Sequence, residues 1–226
     1  MASSSPVAAA GVPTAPHLLA SHQPVFHQLR HDFSRGLTPW RTIRGMETYQ
    51  IQEGAVLYYL TFTVIEWLPV FVAEEPCKIL TDSLNYCHHH KSLRVNAFVL
   101  MPTHAHVMLF DADFDNERLR HTIRDMRQFT GRQLADYSEK HLPAAFAQVM
   151  QGTARTDRAR QFWQQSKHPV AIWTAEFWQT KVRYIHDNPV RKGLVREATA
   201  WRFSSAAYWL LDPPGETDVI LTEVVL

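Results

Sequence analysis

The sequence predicts an α+β sandwich in which helices pack mainly on one face of a central antiparallel sheet. Three observations point there: short stretches rich in aromatic and β-branched residues, longer stretches with apolar residues at helical spacing, and the alternation of the two along the chain. At 226 residues the chain suits one packed domain with appendages.

Residues 1–16 are a low-complexity Ala/Ser/Pro segment that buries too little apolar surface to offset its ordering entropy. Residues 17–45 contain Trp40 and several histidines without sustained periodicity. Residues 1–46 are therefore expected to form a disordered or irregular extension, residues 47–210 the folded domain and residues 211–226 a tail. Residues 57–64, LYYLTFTV, read as a strand of aromatic and β-branched residues. From residue 75 to about residue 89, Cys77, Leu80, Leu84 and Cys87 have helical spacing, with Pro76 near the first turn. Residues 94–101 form the next strand, which Pro102-Thr103 interrupts before residues 104–110; two antiparallel strands or one bent strand both fit. Leu119, Ile123, Met126, Leu134 and Tyr137 share one helical face, and Arg120, Arg124 and Arg127 another. Residues 152–167 are expected to be irregular. Residues 175–187 form a further helix with Thr174 as N-cap, which Asn188-Pro189 should end, because the residue before proline is pushed out of the helical region.

Composition narrows the functional classes. No apolar run approaches the roughly 20 residues that span a bilayer, and the first basic residue is Arg30, too late for a secretory signal. A cytoplasmic protein is expected. Cys77 and Cys87 fit neither a disulfide framework nor a zinc ribbon and read as ordinary thiols. The net charge of +1 hides an asymmetry: residues 47–114 hold three Lys/Arg against eight Asp/Glu, residues 115–205 sixteen against nine. Such a division admits a polyanion, nucleic acid included, as partner.

The chemistry centres on MPTHAHVMLF, residues 101–110. Residues two apart in a strand share a side, so His104 and His106 project together while Ala105, Val107 and Leu109 face the core. Two neutral imidazoles can share a divalent cation if a third ligand comes from elsewhere; a His-x-His alone more often means two histidines on a sheet face. Val107-Met108-Leu109 excludes a His-x-His-x-Asp-His metallohydrolase pattern, and Met108 excludes a histidine triad. On the helix at 175–187, Phe177, Lys181, Tyr184 and Asn188 fall on one face. A phenol needs a nearby cation or base to act as nucleophile, which a metal on the histidines could supply. Alone, such a tyrosine is more often a packed ring with a wet hydroxyl. His88-His89-His90 ends a helix, where a positive charge suits the dipole, and receives no role.

In chain order, TFTV at 61–64, MPTHAHVMLF at 101–110, RDMRQFT at 124–130, FWQQ at 162–165 with His168-Pro169, YIHDNPVRKGLV at 184–195 and SSA at 204–206 resemble the REP-associated tyrosine transposases. These are single-tyrosine HUH endonucleases with the insertion-sequence-200 type of transposase domain, and the resemblance covers roughly residues 47–210. It implies a ferredoxin-like fold. His104 and His106 match the pair that holds a divalent metal, Mg²⁺ or Mn²⁺; Tyr184 matches the catalytic tyrosine, and Asn188 the position that offers a third metal ligand. The implied activity is metal-dependent cleavage and strand transfer of single-stranded or hairpin DNA through a 5′-phosphotyrosine, in transposition of REP-type elements. A cytoplasmic, nucleoid-associated monomer or homodimer would carry it out. Arg120, Arg124 and Arg127 could track a DNA backbone. Arg155 and Arg158 precede Trp163 and Gln164, which could stack on and read bases, and Arg191 and Lys192 could contact phosphates, with Gly193 a helix C-cap. The competing readings are a non-catalytic nucleic-acid-binding module on the same fold and a metal phosphodiesterase that uses water.

Overall fold

The computed structural model describes residues 55–152, 160–165 and 169–224. The expected extension at 1–46 lies outside them. Strand β1 (Leu57–Thr63) leads through a short 3-10 turn (Ile65–Trp67) to helix α1 (Glu74–His90), then β2 (Leu93–Met101), β3 (His104–Asp111) and α2 (Asn116–His141). Helix α3 (Ala144–Gly152), β4 (Val170–Ile172), α4 (Ala175–Arg191), a second 3-10 turn (Ala198–Ala200) and α5 (Ala206–Leu210) complete the order. The sheet runs β2-β3-β1-β4, with every pair antiparallel. This βαββαβ order with β3 between β1 and β2 is the ferredoxin-like arrangement. The two open readings of residues 94–110 resolve as a hairpin: Pro102-Thr103 turns the chain and Met101 pairs with His104.

Alternation along the strands gives the sheet two unlike faces. Tyr58, Leu60, Phe62, Ala105, Val107 and Leu109 join the core with Leu80 and Leu84 of α1 and Leu119, Ile123 and Met126 of α2. The opposite face carries Tyr59, Thr61, His104 and His106, and α4 packs over it. Asp115 caps α2 by accepting from the backbone N–H groups of Glu117 and Arg118, and Glu74 and Glu75 occupy the first turn of α1, where acidic side chains suit the dipole. Residues 144–152 form a helix that the sequence reading did not assign. Beyond it, Trp163 bridges to Val64, and Ile65 N–H donates to the Phe162 carbonyl at 2.7 Å.

Two features orient the second face. A register shift between Val95 and Ala97 makes Asn96 the extra residue of a bulge. Asn96 is fully buried: its amide donates to the Thr222 carbonyl at 3.2 Å and accepts from Trp178 Nε1 at 2.7 Å, while its carbonyl accepts from Trp209 Nε1 at 3.0 Å. The C-terminal residues also lie on β2, where Leu221 bridges to Val95, Thr222 N–H donates to the Val95 carbonyl at 2.8 Å and Val219 is buried.

Helix α4 corrects one expectation. It does not stop at Asn188 but continues through Pro189 to Arg191. Proline in the last turn removes only the donor to the Ile185 carbonyl, and Asn188 and Pro189 are both buried by packing that offsets this loss. The helix instead ends in a Schellman motif: Gly193, at φ 69°, donates to the Val190 carbonyl and Leu194 to that of Pro189, both at 2.9 Å. Among the described residues, no helix is long and apolar enough to cross a membrane.

Candidate active site

Strand pairing places Thr61 opposite His106 and Thr63 opposite His104. The two imidazole rings lie 4.7 Å apart between centroids, and the Tyr184 ring is 5.3 Å from that of His106. Three anchors hold α4 at this distance. The Thr174 hydroxyl caps its first turn by accepting from Phe177 N–H, Trp178 donates to the Asn96 bulge, and His186 Nε2 meets Ser205 Oγ at 2.8 Å. With Trp178, Val182, Ile185 and His186 buried, Tyr184 is turned toward the histidines and stays partly accessible.

The histidine nitrogens are unequal. His106 Nδ1 lies 2.7 Å from Tyr59 Oη and 2.9 Å from Thr61 Oγ1, and the Tyr59 ring stacks on the imidazole at 5.5 Å. Its Nε2 is buried with no hydrogen-bond partner. His104 repeats the pattern, its Nδ1 lying 2.9 Å from the hydroxyl of Thr103. Desolvation, followed by the charges of His104 and Lys181, pushes His106 down to about 3. Desolvation and Lys192 push His104 down to about 4. Both imidazoles are therefore neutral at pH 7, the state in which a ring nitrogen can donate to a metal.

That donor set fits a divalent cation: in the tautomer whose Nδ1–H donates to the Tyr59 or Thr61 hydroxyl, the buried and unpartnered Nε2 of His106 offers a lone pair to an electrophile. Among the described residues, no three His, Cys, Asp or Glu side chains are arranged to hold a metal ion by themselves. A further protein ligand would thus be an amide or hydroxyl, and Asn188 lies buried one turn beyond Tyr184 on α4. The continuation of α4 has a consequence here: Arg191 remains helical, seven residues from Tyr184, and its guanidinium lies 5.1 Å over the Tyr184 ring. Lys181, three residues before Tyr184, places its ammonium 4.8 Å over Tyr59. The sequence assigns no site role to Tyr59, nor to Thr61 of the TFTV segment. Period 2 puts them on one side of β1, but only the β1–β3 register puts that side next to His106.

The remaining expected contact residues divide. Arg191 and Lys192 are exposed at the end of α4. Arg120, Arg124 and Arg127 lie on α2, across the sheet from Tyr184, and line a groove of about 880 Å³ with Gln164. Arg120 and Arg124 are exposed, with Arg124 paired to Asp125. Arg127 is half-buried over the Phe62 ring and donates to the Gln164 carbonyl at 2.8 Å. Burial lowers its pKa to about 10. Trp163 sits in the core, 6% exposed, stacked on Phe71 at 5.9 Å and donating to Thr130 Oγ1 at 3.1 Å. An indole so enclosed packs the fold and has no free face for a base. Arg155 and Arg158 lie outside the described residues.

No protein-family model matches the chain, and no curated protein matches it. The chain is similar to a solved structure described as a REP-associated tyrosine transposase bound to a REP hairpin. That match covers 84% of this chain and 99% of the other, with 18% identity and a TM-score of 0.47.

Proposed function

We propose that this protein is a tyrosine-dependent DNA nuclease and strand transferase acting on single-stranded or hairpin DNA of REP type. One observation carries the reading: Tyr184, His104 and His106, from segments some 80 residues apart, converge on one face of the sheet with the imidazoles neutral and a buried ring nitrogen unpartnered. His186 also has a buried, unpartnered nitrogen, so it is the convergence of the pair with Tyr184, more than the open nitrogen, that separates this site from a structural histidine. A divalent cation such as Mg²⁺ or Mn²⁺, held by His104 and His106 with Asn188 as a further donor, would neutralise charge on a phosphodiester oxygen.

The chain's own groups account for the rest. The Tyr184 oxygen attacks phosphorus in line and gives up its proton, the P–O3′ bond breaks, and the departing 3′ oxygen gains one proton in exchange, by way of solvent, while the 5′-phosphate stays on the tyrosine. The Arg191 guanidinium, held 5.1 Å over the ring, stands where it can meet negative charge on the attacked phosphate. Tyrosine suits strand transfer better than water, because the phosphotyrosine keeps a phosphodiester that a second 3′-hydroxyl can displace without an energy source. Arg191 and Lys192 would meet phosphates beside the tyrosine, and Arg120 and Arg124 would meet backbone further along.

The test is incubation with end-labelled hairpin DNA and Mn²⁺, followed by denaturing electrophoresis. A covalent protein–DNA adduct is expected, and Tyr184→Phe should lose it entirely. Binding without adduct would support a non-catalytic DNA-binding module. Cleavage that survives Tyr184→Phe would support a phosphodiesterase that uses water.

A further inference from the structure

Between β1 and α1, the Leu68 N–H donates to the Ile65 carbonyl at 3.1 Å, closing a turn whose central residues are Glu66 at φ 48° and Trp67 at φ 55°. Two successive left-handed residues make type I′ geometry, whose central positions are dominated by Asn and Gly because a Cβ there meets the following carbonyl. Here they are a glutamate and a tryptophan. The indole does not recover the cost by packing: Trp67 is 56% exposed, whereas Trp163, Trp178 and Trp209 are buried. The turn is nonetheless held firmly. Val64 N–H donates to the Thr103 carbonyl, Ile65 to Phe162 and Phe71 to Pro102, which ties both ends to the hairpin that starts the histidine strand.

The exposed ring therefore stands at a defined place. Its centroid lies 5.7 Å from that of His104, edge to face, and the chain of ring neighbours continues through His106 to Tyr184. We propose that Trp67 is a stacking platform for an unpaired base beside the phosphodiester that Tyr184 attacks. The proposal rests on the DNA-cleaving reading above and adds a base-binding element to it. A strained, exposed aromatic at the rim of a site is what a single strand requires, since every base has a π face and stacking tolerates any sequence. The exposed Glu66 beside it would repel a phosphate, so the platform meets a base and not the backbone. Lys192, whose charge reaches His104, serves phosphate on the same side.

The test uses the full chain carrying Tyr184→Phe, so that binding is read without cleavage, and single-stranded oligonucleotides spanning the cleaved bond. Trp67→Ala should weaken binding by about 5- to 160-fold, the range of one base–aromatic stack, and Trp67→Phe should recover part of it. Removing the base, but not the phosphate, of one nucleotide flanking the cleaved bond should cost the Tyr184→Phe parent the same factor and its Trp67→Ala derivative almost nothing. Trp67→Gly should unfold at an equal or higher denaturant concentration, because glycine relieves the turn, while binding as weakly as Trp67→Ala. Unchanged binding in Trp67→Ala overturns the proposal, and so do additive losses from the variant and the abasic site, or a Trp67→Gly protein that is less stable than wild type. If the base-dependent loss appears but no phosphotyrosine forms with wild type, the cleavage reading fails and the platform stands. If the adduct forms and the losses do not appear, the platform alone fails.

Discussion

His106 is where the site's chemistry is concentrated, because one imidazole edge is saturated by the Tyr59 and Thr61 hydroxyls while the other is buried and unpartnered. Burial that keeps this ring neutral also makes the fold sensitive to acid. His104 stands at about 4, and His106 and His186 at about 3, whereas the unfolded chain titrates near the ordinary value of about 6.5. Between those values the unfolded state binds more protons, so stability is complete above pH 6.5 and is lost as pH falls toward 4. The urea midpoint of the metal-free protein should therefore drop from about pH 6.5 to pH 4, and a flat profile between pH 6.5 and pH 5 would contradict these environments. Trp163 makes the opposite point. Its place beside Gln164 suggested a surface for bases, but Gly131 leaves room on α2 for the indole, whose Cδ1 lies 3.2 Å from the position a Cβ would take there. Residue type and neighbours did not distinguish a ring that reads from a ring that packs.

Helix α4 joins the fold to the site. Its capping by Thr174 and its apolar side were legible, since caps and 3.6-residue periodicity are local. Its true end was not, because the restriction before proline competes with the burial of Asn188 and Pro189, and burial is a tertiary quantity. The outcome matters for chemistry: the extra turn brings Arg191 over Tyr184, and Gly193 is the residue that lets the chain leave afterwards. No atom lies within 4 Å of a Cβ built on Gly193, so an alanine there would pay only the left-handed backbone cost. Gly193→Ala should lower the unfolding free energy by about 1–2 kcal/mol. Chemical denaturation would measure that loss, and adduct formation should slow as the helix end and Arg191 become less well placed.

At the scale of the molecule, the sheet separates a core face, covered by α1 and α2, from a working face covered by α4. The working face depends on the Asn96 bulge, which the C-terminal residues complete by accepting from its amide and donating to Val95. Asn85 adds a second clasp, donating to the Asp218 carbonyl at 2.9 Å and accepting from Ile220 N–H at 2.9 Å. A chain ending at Glu216 would expose Val219 and β2 and leave the Asn96 amide short of an acceptor. It should lose about 4–9 kcal/mol of stability, the sum of one buried valine and four hydrogen bonds, which urea unfolding would register. The 211–226 stretch reads as a tail because its Pro, Gly and acidic residues show no periodicity. Its docking depends on side chains more than 100 residues away.

The sequence by itself determined the alternation of strands and helices, the shared side of His104 and His106, the shared side of Tyr184 and Asn188, and the cap at Thr174. Each follows from a local rule, either the period of a strand or helix or the chemistry of one turn. Only the tertiary structure decided which hydroxyls hold His106, that α4 outlasts its proline, that Trp163 is core while Trp67 is surface, and that the α2 arginines lie across the sheet from the tyrosine. Those outcomes rest on strand register and on which faces are buried together, quantities that arise from contacts between distant segments and leave no periodic trace in either one.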